Sequence, residues 1–302
     1  MRTPDLLFIG IYKAGTTFLR GYFSQHPQIT WTRHAHYFLR QQPDPGESYP
    51  PGPPPEPDAP VYVDMFEGVA LGYSFTAAGA AADWASVGFD PDRPITGDLL
   101  VPDQAAIARR IRERVPQARI LLVLRNQLEW LRSNYLHHML FLAKDRRSFG
   151  NFLGTLEGKC ALHAGLFDQT VDAYFSAFGR ERVHVMLFEH LAADADAATA
   201  ALCRFLDIGH APCAVSAEER NAGKGVAAGN AIAILSRLGL KDDTIRRIGR
   251  ATRPVAGLGA RLMARDVISP EQAGMLRAFY AASNFRTQAA TGLDLGAAGY
   301  PL

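Results

Sequence analysis

The sequence predicts an α/β fold in which a central parallel sheet is flanked by helices in three layers. Short apolar segments of strand length alternate along the chain with stretches of helical periodicity, which is typical of such a sheet. One segment, residues 120–125, is an almost unbroken apolar run, as expected for a strand buried on both faces. The chain has 302 residues and is 48% hydrophobic, so it can bury a substantial core, and we expect one domain over residues 1–302. The predicted strands are residues 6–10, 29–32, 95–98, 120–125 and 183–188.

The first strand runs into a loop bracketed by Gly10 and Gly15. Glycines allow successive backbone N–H groups to turn toward an anion, and the next helix begins with Thr16 and Thr17 at the positive end of its dipole. The two glycines have the spacing of the nucleoside-triphosphate loop G-x-x-x-x-G-K-S/T, but Thr16 stands where the lysine belongs and the loop's one lysine is Lys13. The segment is either a phosphate loop for a different transferred group or an ordinary strand-to-helix turn with a capping residue.

A second phosphate contact is predicted where the buried strand ends. Arg125 closes the apolar run, and Ser133 follows eight positions later on a predicted helix. Ligands bind at the carboxyl ends of the strands in such a sheet, and a guanidinium matches phosphate oxygens with two hydrogen bonds. The pair could therefore clamp one phosphate. Taken alone, Arg125 could equally be an ion-pair partner and Ser133 a solvated helix residue.

Together these residues resemble the sulfotransferases that use 3′-phosphoadenosine 5′-phosphosulfate (PAPS). The segment Lys13-Ala14-Gly15-Thr16-Thr17 is similar to the family's loop for the 5′-phosphosulfate, K-S/T/A/G-G-T-T/S. The segment Leu124-Arg125-Asn126-Gln127, with Ser133, is similar to the family's 3′-phosphate motif, which begins L-R-N-P; glutamine replaces the proline here. Further similar segments follow in order at 116–120, 182–191 and 279–284, so the resemblance spans almost the whole chain.

The resemblance implies transfer of a sulfuryl group from PAPS to a hydroxyl of a small molecule or glycoconjugate, without a metal. It implies that Lys13 stabilises the charge that builds on the leaving phosphate. The donor-binding residues that it implies are Lys13, Ala14, Gly15, Thr16, Thr17, Phe18, Arg125, Ser133 and Lys224. Lys224 lies in a basic, glycine-rich loop, residues 220–225, and could equally be a solvated loop lysine.

The acceptor hydroxyl needs a general base, and residues 33–38 supply the main candidate. In glycan sulfotransferases the related segment reads K-E-x-H-F/Y-F with the glutamate as base, and His34 occupies the glutamate position here. The reference pKa of histidine is about 6.5, so a neutral imidazole at His34 could accept the proton. His36 and Asp98 are the alternatives for the base, and His36, Tyr37 and Asp98 are candidate acceptor-binding residues.

Two further regions have distinctive composition. Residues 41–60 are crowded with prolines, which excludes a helix or a central strand, and the segment is either a mobile surface loop or a stiff stretch that borders the acceptor pocket. Aromatic residues in 61–66 and at Tyr73, Phe75 and Trp84 could line that pocket or belong to the core. Residues 229–302 are predicted to be mostly helical, with one helix that starts at Ser269-Pro270.

Charge, cysteine content and hydropathy narrow the class of protein. The net charge of +2 is too small to argue for nucleic-acid binding. The three cysteines lack metal-binding spacing and fit a reducing compartment, and no apolar segment approaches membrane-spanning length. With the alanine- and arginine-rich composition, these features lead us to expect a soluble, cytoplasmic, bacterial enzyme, and the resemblance implies a small-molecule or glycan acceptor.

Two other functions stay open on the sequence alone. A P-loop kinase for a small metabolite would bind ATP with magnesium, although it would need a lysine directly after Gly15. A catalytically inactive protein of the same fold could keep the nucleotide site as a sensor or as part of an assembly. The sequence predicts neither the identity of the acceptor nor the oligomeric state.

Overall fold

The computed structural model describes residues 2–32, 58–65, 104–141, 148–154, 156–213 and 267–302. For residues 136–141, 156, 157 and 160 the backbone alone is described. The predicted strand at 95–98 and most of the proline-rich segment 41–60 lie outside these ranges.

Five parallel strands form the sheet in the described residues, and the parallel arrangement is the one that the sequence predicts. They are β1 (Leu6–Gly10), β2 (Ile29–Thr32), β3 (Val61–Met65), β4 (Arg119–Leu124) and β5 (Val183–Leu187). Their spatial order is β2-β3-β1-β4-β5. The chain moves to one side of β1 for β2 and β3 and to the other side for β4 and β5, so the topological switch point lies between β1 and β4. Leu7 of β1 is paired with Ile120 of β4 there.

Nine α-helices accompany the sheet in the described ranges. They are α1 (Thr16–Gln25), α2 (Gln104–Arg114), α3 (Gln127–Phe141), α4 (Phe149–Leu153), α5 (Leu156–Ala164), α6 (Phe167–Phe178), α7 (Phe188–Ala193), α8 (Ala195–Leu206) and α9 (Pro270–Thr291). The α/β prediction is thus confirmed.

The core explains the strands that were predicted and the one that was missed. Residues 120–124 of β4 are completely buried, because helices cover both faces of a parallel sheet and leave no polar side. β3 was not predicted as a strand, and its five residues are all buried. Tyr62 lies in this strand with its hydroxyl 2.9 Å from Thr32 Oγ1, so for residues 61–65 the core alternative holds.

The helix α9 begins where the sequence predicts. Ser269 Oγ accepts from the Gln272 N–H (3.2 Å), and the Gln272 side chain accepts from the Ser269 N–H (3.0 Å). This reciprocal capping box, with Pro270 at the first helical position, satisfies donors that a helix start otherwise leaves unpaired.

A histidine is half-buried where β5 meets α8. The ring of His184 stacks on that of Phe205, with centroids 5.2 Å apart and an interplanar angle of 27°. Burial, with a smaller contribution from Arg204, lowers the pKa of His184 to about 4. The imidazole is therefore neutral in the folded protein down to acid pH.

This pKa predicts an acid-dependent loss of stability. Between about pH 6.5 and about pH 4 the unfolded chain binds a proton at His184 that the folded chain does not. The free energy of unfolding should therefore fall as the pH falls through this window, by about 1–3 kcal/mol from this residue. Urea unfolding at about pH 7.5 and about pH 4.5 measures it.

Carboxylates also titrate in this window, so the comparison is with His184→Gln, which cannot be protonated. The variant should lose less stability than the parent protein on acidification. Equal losses in the two proteins would contradict the assignment to His184.

Candidate functional site

The loop between β1 and α1 has a left-handed backbone at three positions. Gly10, Lys13 and Gly15 have φ values of 113°, 66° and 83°. Glycine adopts such angles freely, but a lysine does so at a cost of about 1–2 kcal/mol. Contacts with the rest of the fold must therefore hold Lys13 in this conformation.

Two side chains that follow β4 hold the loop, one from the β4–α3 connection and one from the first turn of α3. Arg125 Nη1 donates to the Lys13 carbonyl (2.7 Å), and Trp130 Nε1 donates to the Tyr12 carbonyl (2.8 Å). Trp130 is completely buried, so its N–H needs an acceptor within the protein. Both acceptors are backbone oxygens of the loop, which fixes the path of the chain through Lys13.

The N–H groups at the start of α1, unlike these loop carbonyls, are not paired with protein groups in the described ranges. Gly15 is the N-cap of this helix and has no side chain to cap it. Within the described ranges, no protein group accepts a hydrogen bond from the N–H of Gly15, Thr16 or Thr17. Together with the helix dipole, such N–H groups form an anion site.

Arg125 is a largely buried cation with spare hydrogen-bonding capacity. Its guanidinium carbon lies 4.6 Å from the centroid of the Phe188 ring. Its Nε is buried without a hydrogen-bond partner in the part of the chain that the structure describes. Burial lowers the pKa of Arg125, and the nearby carboxylates of Glu129 and Glu189 oppose this effect. Arginine nevertheless stays charged in proteins, so the site holds a fixed positive charge.

Lys13 adds a second positive charge beside the first. Its Nζ lies 5.1 Å from the centroid of the Tyr12 ring. Burial lowers the pKa of Lys13, and repulsion from Arg125 lowers it further. Two partly desolvated cations next to free N–H groups favour a ligand with several negative charges.

The other predicted donor-binding residues take different positions. Thr16 is buried and Thr17 half-buried at the first turn of α1. The side chains of Ala14 and Phe18 belong to the core, with exposures of 0% and 5%, so these two residues could contact a ligand through their backbone alone. Ser133 is half-buried on α3, about two helical turns beyond Arg125.

The predicted acceptor-site residues, and one predicted donor-site residue, lie outside the described ranges. His34, His36, Tyr37, Asp98 and Lys224 all lie in segments that the structure does not describe. Their roles therefore stay predictions from the sequence.

Sequence reasoning missed three residues that build the site. Trp130 and Phe188 contact the loop and Arg125 directly, as described above, and Glu189 Oε1 accepts from the Asn126 N–H (2.9 Å). The available signal was Trp130 itself, because a tryptophan on an apolar helix face still needs an acceptor for its N–H.

The described residues lack both a metal-binding cluster and a membrane-spanning helix. No cluster of three or more His, Cys, Asp or Glu side chains there is suited to hold a metal ion. No helix in those ranges has both the length and the apolarity needed to span a bilayer.

Comparisons with known proteins give a family match and a fold match. A protein-family sequence model described as "Sulfotransferase family" matches residues 4–212. These residues include β1 to β5 and α1 to α8. The crystal structure of a sulfotransferase from Alicyclobacillus acidocaldarius matches with a TM-score of 0.50 and 21% sequence identity, covering 82% of this chain and 100% of that chain. At this identity the likeness concerns the fold. No curated protein matches the sequence significantly.

The packing of Gly15 predicts a large effect of adding one methyl group. A Cβ at Gly15 would lie 2.9 Å from Leu191 Cδ2 and 3.3 Å from Phe188 Cδ2, on a backbone with φ +83°. Gly15→Ala should therefore lower the free energy of unfolding by about 1–3 kcal/mol in urea titrations.

Gly274→Ala is the matched control, because nothing lies within 4 Å of a Cβ at that exposed position of α9. It should leave stability unchanged or raise it by up to about 1 kcal/mol, since alanine is the better helix former. Similar effects of the two substitutions would contradict the close packing of the loop on α7.

Proposed function

The chain belongs to the sulfotransferase family, and we propose that it transfers a sulfuryl group from PAPS to a hydroxyl group of a small molecule or glycoconjugate. The observation that carries the proposal is the hydrogen bond from Arg125 Nη1 to the Lys13 carbonyl (2.7 Å). It joins the two segments that resemble the family's donor motifs, at the switch point of the sheet.

The 5′ end of the donor is proposed to bind at the start of α1. The free N–H groups of Gly15, Thr16 and Thr17 and the two threonine hydroxyls supply donors for phosphate oxygens. Backbone N–H groups held by a rigid loop need little reorganisation when an anion binds, which favours electrostatic stabilisation of a charged reacting group.

The 3′-phosphate is proposed to bind Arg125, with Ser133 and Lys224 as further contacts. The unpartnered Nε of Arg125 supports this assignment, because a buried N–H without an acceptor is costly and a phosphate oxygen would remove that cost. The planar guanidinium can hold two phosphate oxygens at once.

Lys13 is the proposed catalytic cation. When bound, the donor supplies the sulfuryl group, and the Lys13 ammonium would stabilise the negative charge that develops on the phosphate oxygen left behind. Burial and Arg125 lower the pKa of Lys13, which also makes the group a better proton donor to that oxygen.

The proton of the acceptor hydroxyl is proposed to go to His34. A neutral imidazole with a pKa near about 6.5 can accept a proton at neutral pH. His36 and Asp98 are the other candidates for this base.

Residues 1–302 are proposed to form one domain in a reducing, cytoplasmic location. Support for the reducing compartment comes from Cys203 and Cys213, which are both buried free thiols.

The first prediction from this proposal concerns nucleotide binding. The protein should bind adenosine 3′,5′-bisphosphate in calorimetric titrations without magnesium. Arg125→Ala should weaken this binding about 10- to 100-fold, because a buried charge-assisted contact with phosphate is lost. The same substitution should weaken binding of adenosine 5′-phosphate, which lacks the 3′-phosphate, much less.

Arg119→Ala is the matched control, because Arg119 lies at the opposite end of β4 and makes the same kinds of contact. Its Nη1 donates to the Phe205 carbonyl (2.6 Å), and its guanidinium lies 5.6 Å from the Phe205 ring. Binding of the bisphosphate should survive this change. Magnesium-dependent binding of ATP, with no affinity for the bisphosphate, would instead favour the kinase alternative.

The second prediction concerns turnover. With labelled PAPS and a panel of phenols, sugars, nucleosides and lipid-linked glycans, Lys13→Ala should lower kcat by about 10²–10³-fold. His34→Ala should lower it by about 10²–10⁴-fold with nearly unchanged donor affinity.

His36→Ala and Asp98→Asn are the comparison variants for the base. A larger loss of kcat in one of these than in His34→Ala would move the role of base to that residue. The inactive nucleotide-binding alternative would be favoured if the parent protein binds the donor but transfers no sulfuryl group to any acceptor, and if His34→Ala, His36→Ala and Asp98→Asn leave donor binding unchanged.

A further inference from the structure

Residues 299–301 lie beside the start of α3, next to Arg125. The Gly299 carbonyl accepts from Asn126 Nδ2 (2.6 Å), the Tyr300 hydroxyl donates to Glu189 Oε2 (2.9 Å), and the Pro301 carbonyl accepts from Asn284 Nδ2 (2.8 Å). This short segment therefore contacts three parts of the fold: the residue that follows Arg125, the short helix α7 and the long helix α9.

Glu189 connects the segment to the backbone beside Arg125. One of its oxygens accepts from Tyr300, and the other accepts from the Asn126 N–H (2.9 Å). Tyr300 is 4% exposed. Burial and the neighbouring Glu189 raise the pKa of Tyr300, so its hydroxyl keeps the proton that it donates.

The residue before Glu189 is Phe188, whose ring carries the Arg125 guanidinium at 4.6 Å. The residue whose carboxylate binds Tyr300 thus lies in the first turn of the same short helix that supports the arginine. A backbone displacement at Glu189 would affect both the ring that contacts Arg125 and the acceptor of the Asn126 N–H.

Gln127 anchors the following position. Gln127 Nε2 donates to Asn284 Oδ1 (2.5 Å), Asn284 Nδ2 donates to Gln127 Oε1 (3.2 Å), and both residues are completely buried. A proline, which the resembled motif has at this position, could not make this amide pair. In this chain the residues that follow Arg125 are therefore held from α9 and from the segment after it.

We propose that Tyr300, with residues 299–301, acts as a positioning element for Arg125 and so sets the affinity of the site for the 3′-phosphate. The inference rests on the function proposed above. Its contacts involve Gln127 and residues beyond the segment that matches the family.

Tyr300→Phe tests the proposal, since it removes one hydroxyl and keeps the ring. We expect binding of adenosine 3′,5′-bisphosphate to weaken about three- to tenfold, as for the loss of a hydrogen bond to a charged group. Binding of adenosine 5′-phosphate should change less than twofold, by the same argument. A merely structural role would affect both ligands alike.

Tyr280→Phe is the matched control, because Tyr280 is also fully buried and donates one hydrogen bond, to the Leu162 carbonyl (2.9 Å). It should leave the ratio of the two affinities unchanged. Asn126→Ser gives an independent variant. Asn126 Oδ1 caps α3 by accepting from the Leu128 N–H (3.1 Å); a serine can also cap the helix, but it is too short to replace the bond to Gly299. It should lower the affinity for the bisphosphate selectively, as Tyr300→Phe does.

A double-mutant cycle shows whether Tyr300 acts through Arg125. In the Arg125→Ala background, Tyr300→Phe should have no further effect on binding of the bisphosphate. Additive losses, equal losses for the two ligands, or no loss in either single variant would overturn the proposal. If the parent protein fails to bind the bisphosphate, the proposed function itself is wrong; if it binds and only Arg125→Ala weakens binding, the positioning role alone is wrong.

Discussion

The hydrogen bond from Arg125 to the Lys13 carbonyl is the constraint on which the candidate site depends. β1 and β4 are adjacent in the sheet, so the residues that follow them meet at one edge. Arg125 uses this proximity to fix the loop in the left-handed conformation at Lys13, while Phe188 supports the guanidinium from α7. One side chain thus sets the relative position of three elements. Because the loop and the arginine are held by the same contact, neither can move without the other.

The strands were predictable where a local pattern marks them. β1, β2, β4 and β5 are mostly apolar or β-branched, and the burial of β1 and of nearly all of β4 on both faces produces that pattern directly. β3 carries the fully buried Asp64 as the fourth of its five residues and follows the proline-rich segment. It is a strand because it pairs with β1 and β2 on either side. That pairing is non-local, and tertiary context of this kind overrides local propensity.

The same limit applies to the site. Lys13 and Arg125 stand in segments whose spacing is recognisable from the sequence. The contacts that hold them are not, because Tyr12 and Trp130 are 118 residues apart, Asn126 and Glu189 are 63 apart, and Glu189 and Tyr300 are 111 apart. Each is an ordinary pairing of a buried donor with an acceptor. A sequence states which groups need partners, and only the fold decides which partners they find.

The charges of the site explain why such extensive support is needed. Burial lowers the pKa values of both Lys13 and Arg125, and repulsion from Arg125 lowers that of Lys13 further, so holding these cations in the site destabilises the unliganded protein. Glu189 is close enough to Arg125 to offset part of this cost, but its two oxygens are bound to Asn126 and Tyr300. A carboxylate fixed in this way cannot swing over to form an ion pair with the guanidinium. The guanidinium therefore stays available for hydrogen bonds to an anionic ligand.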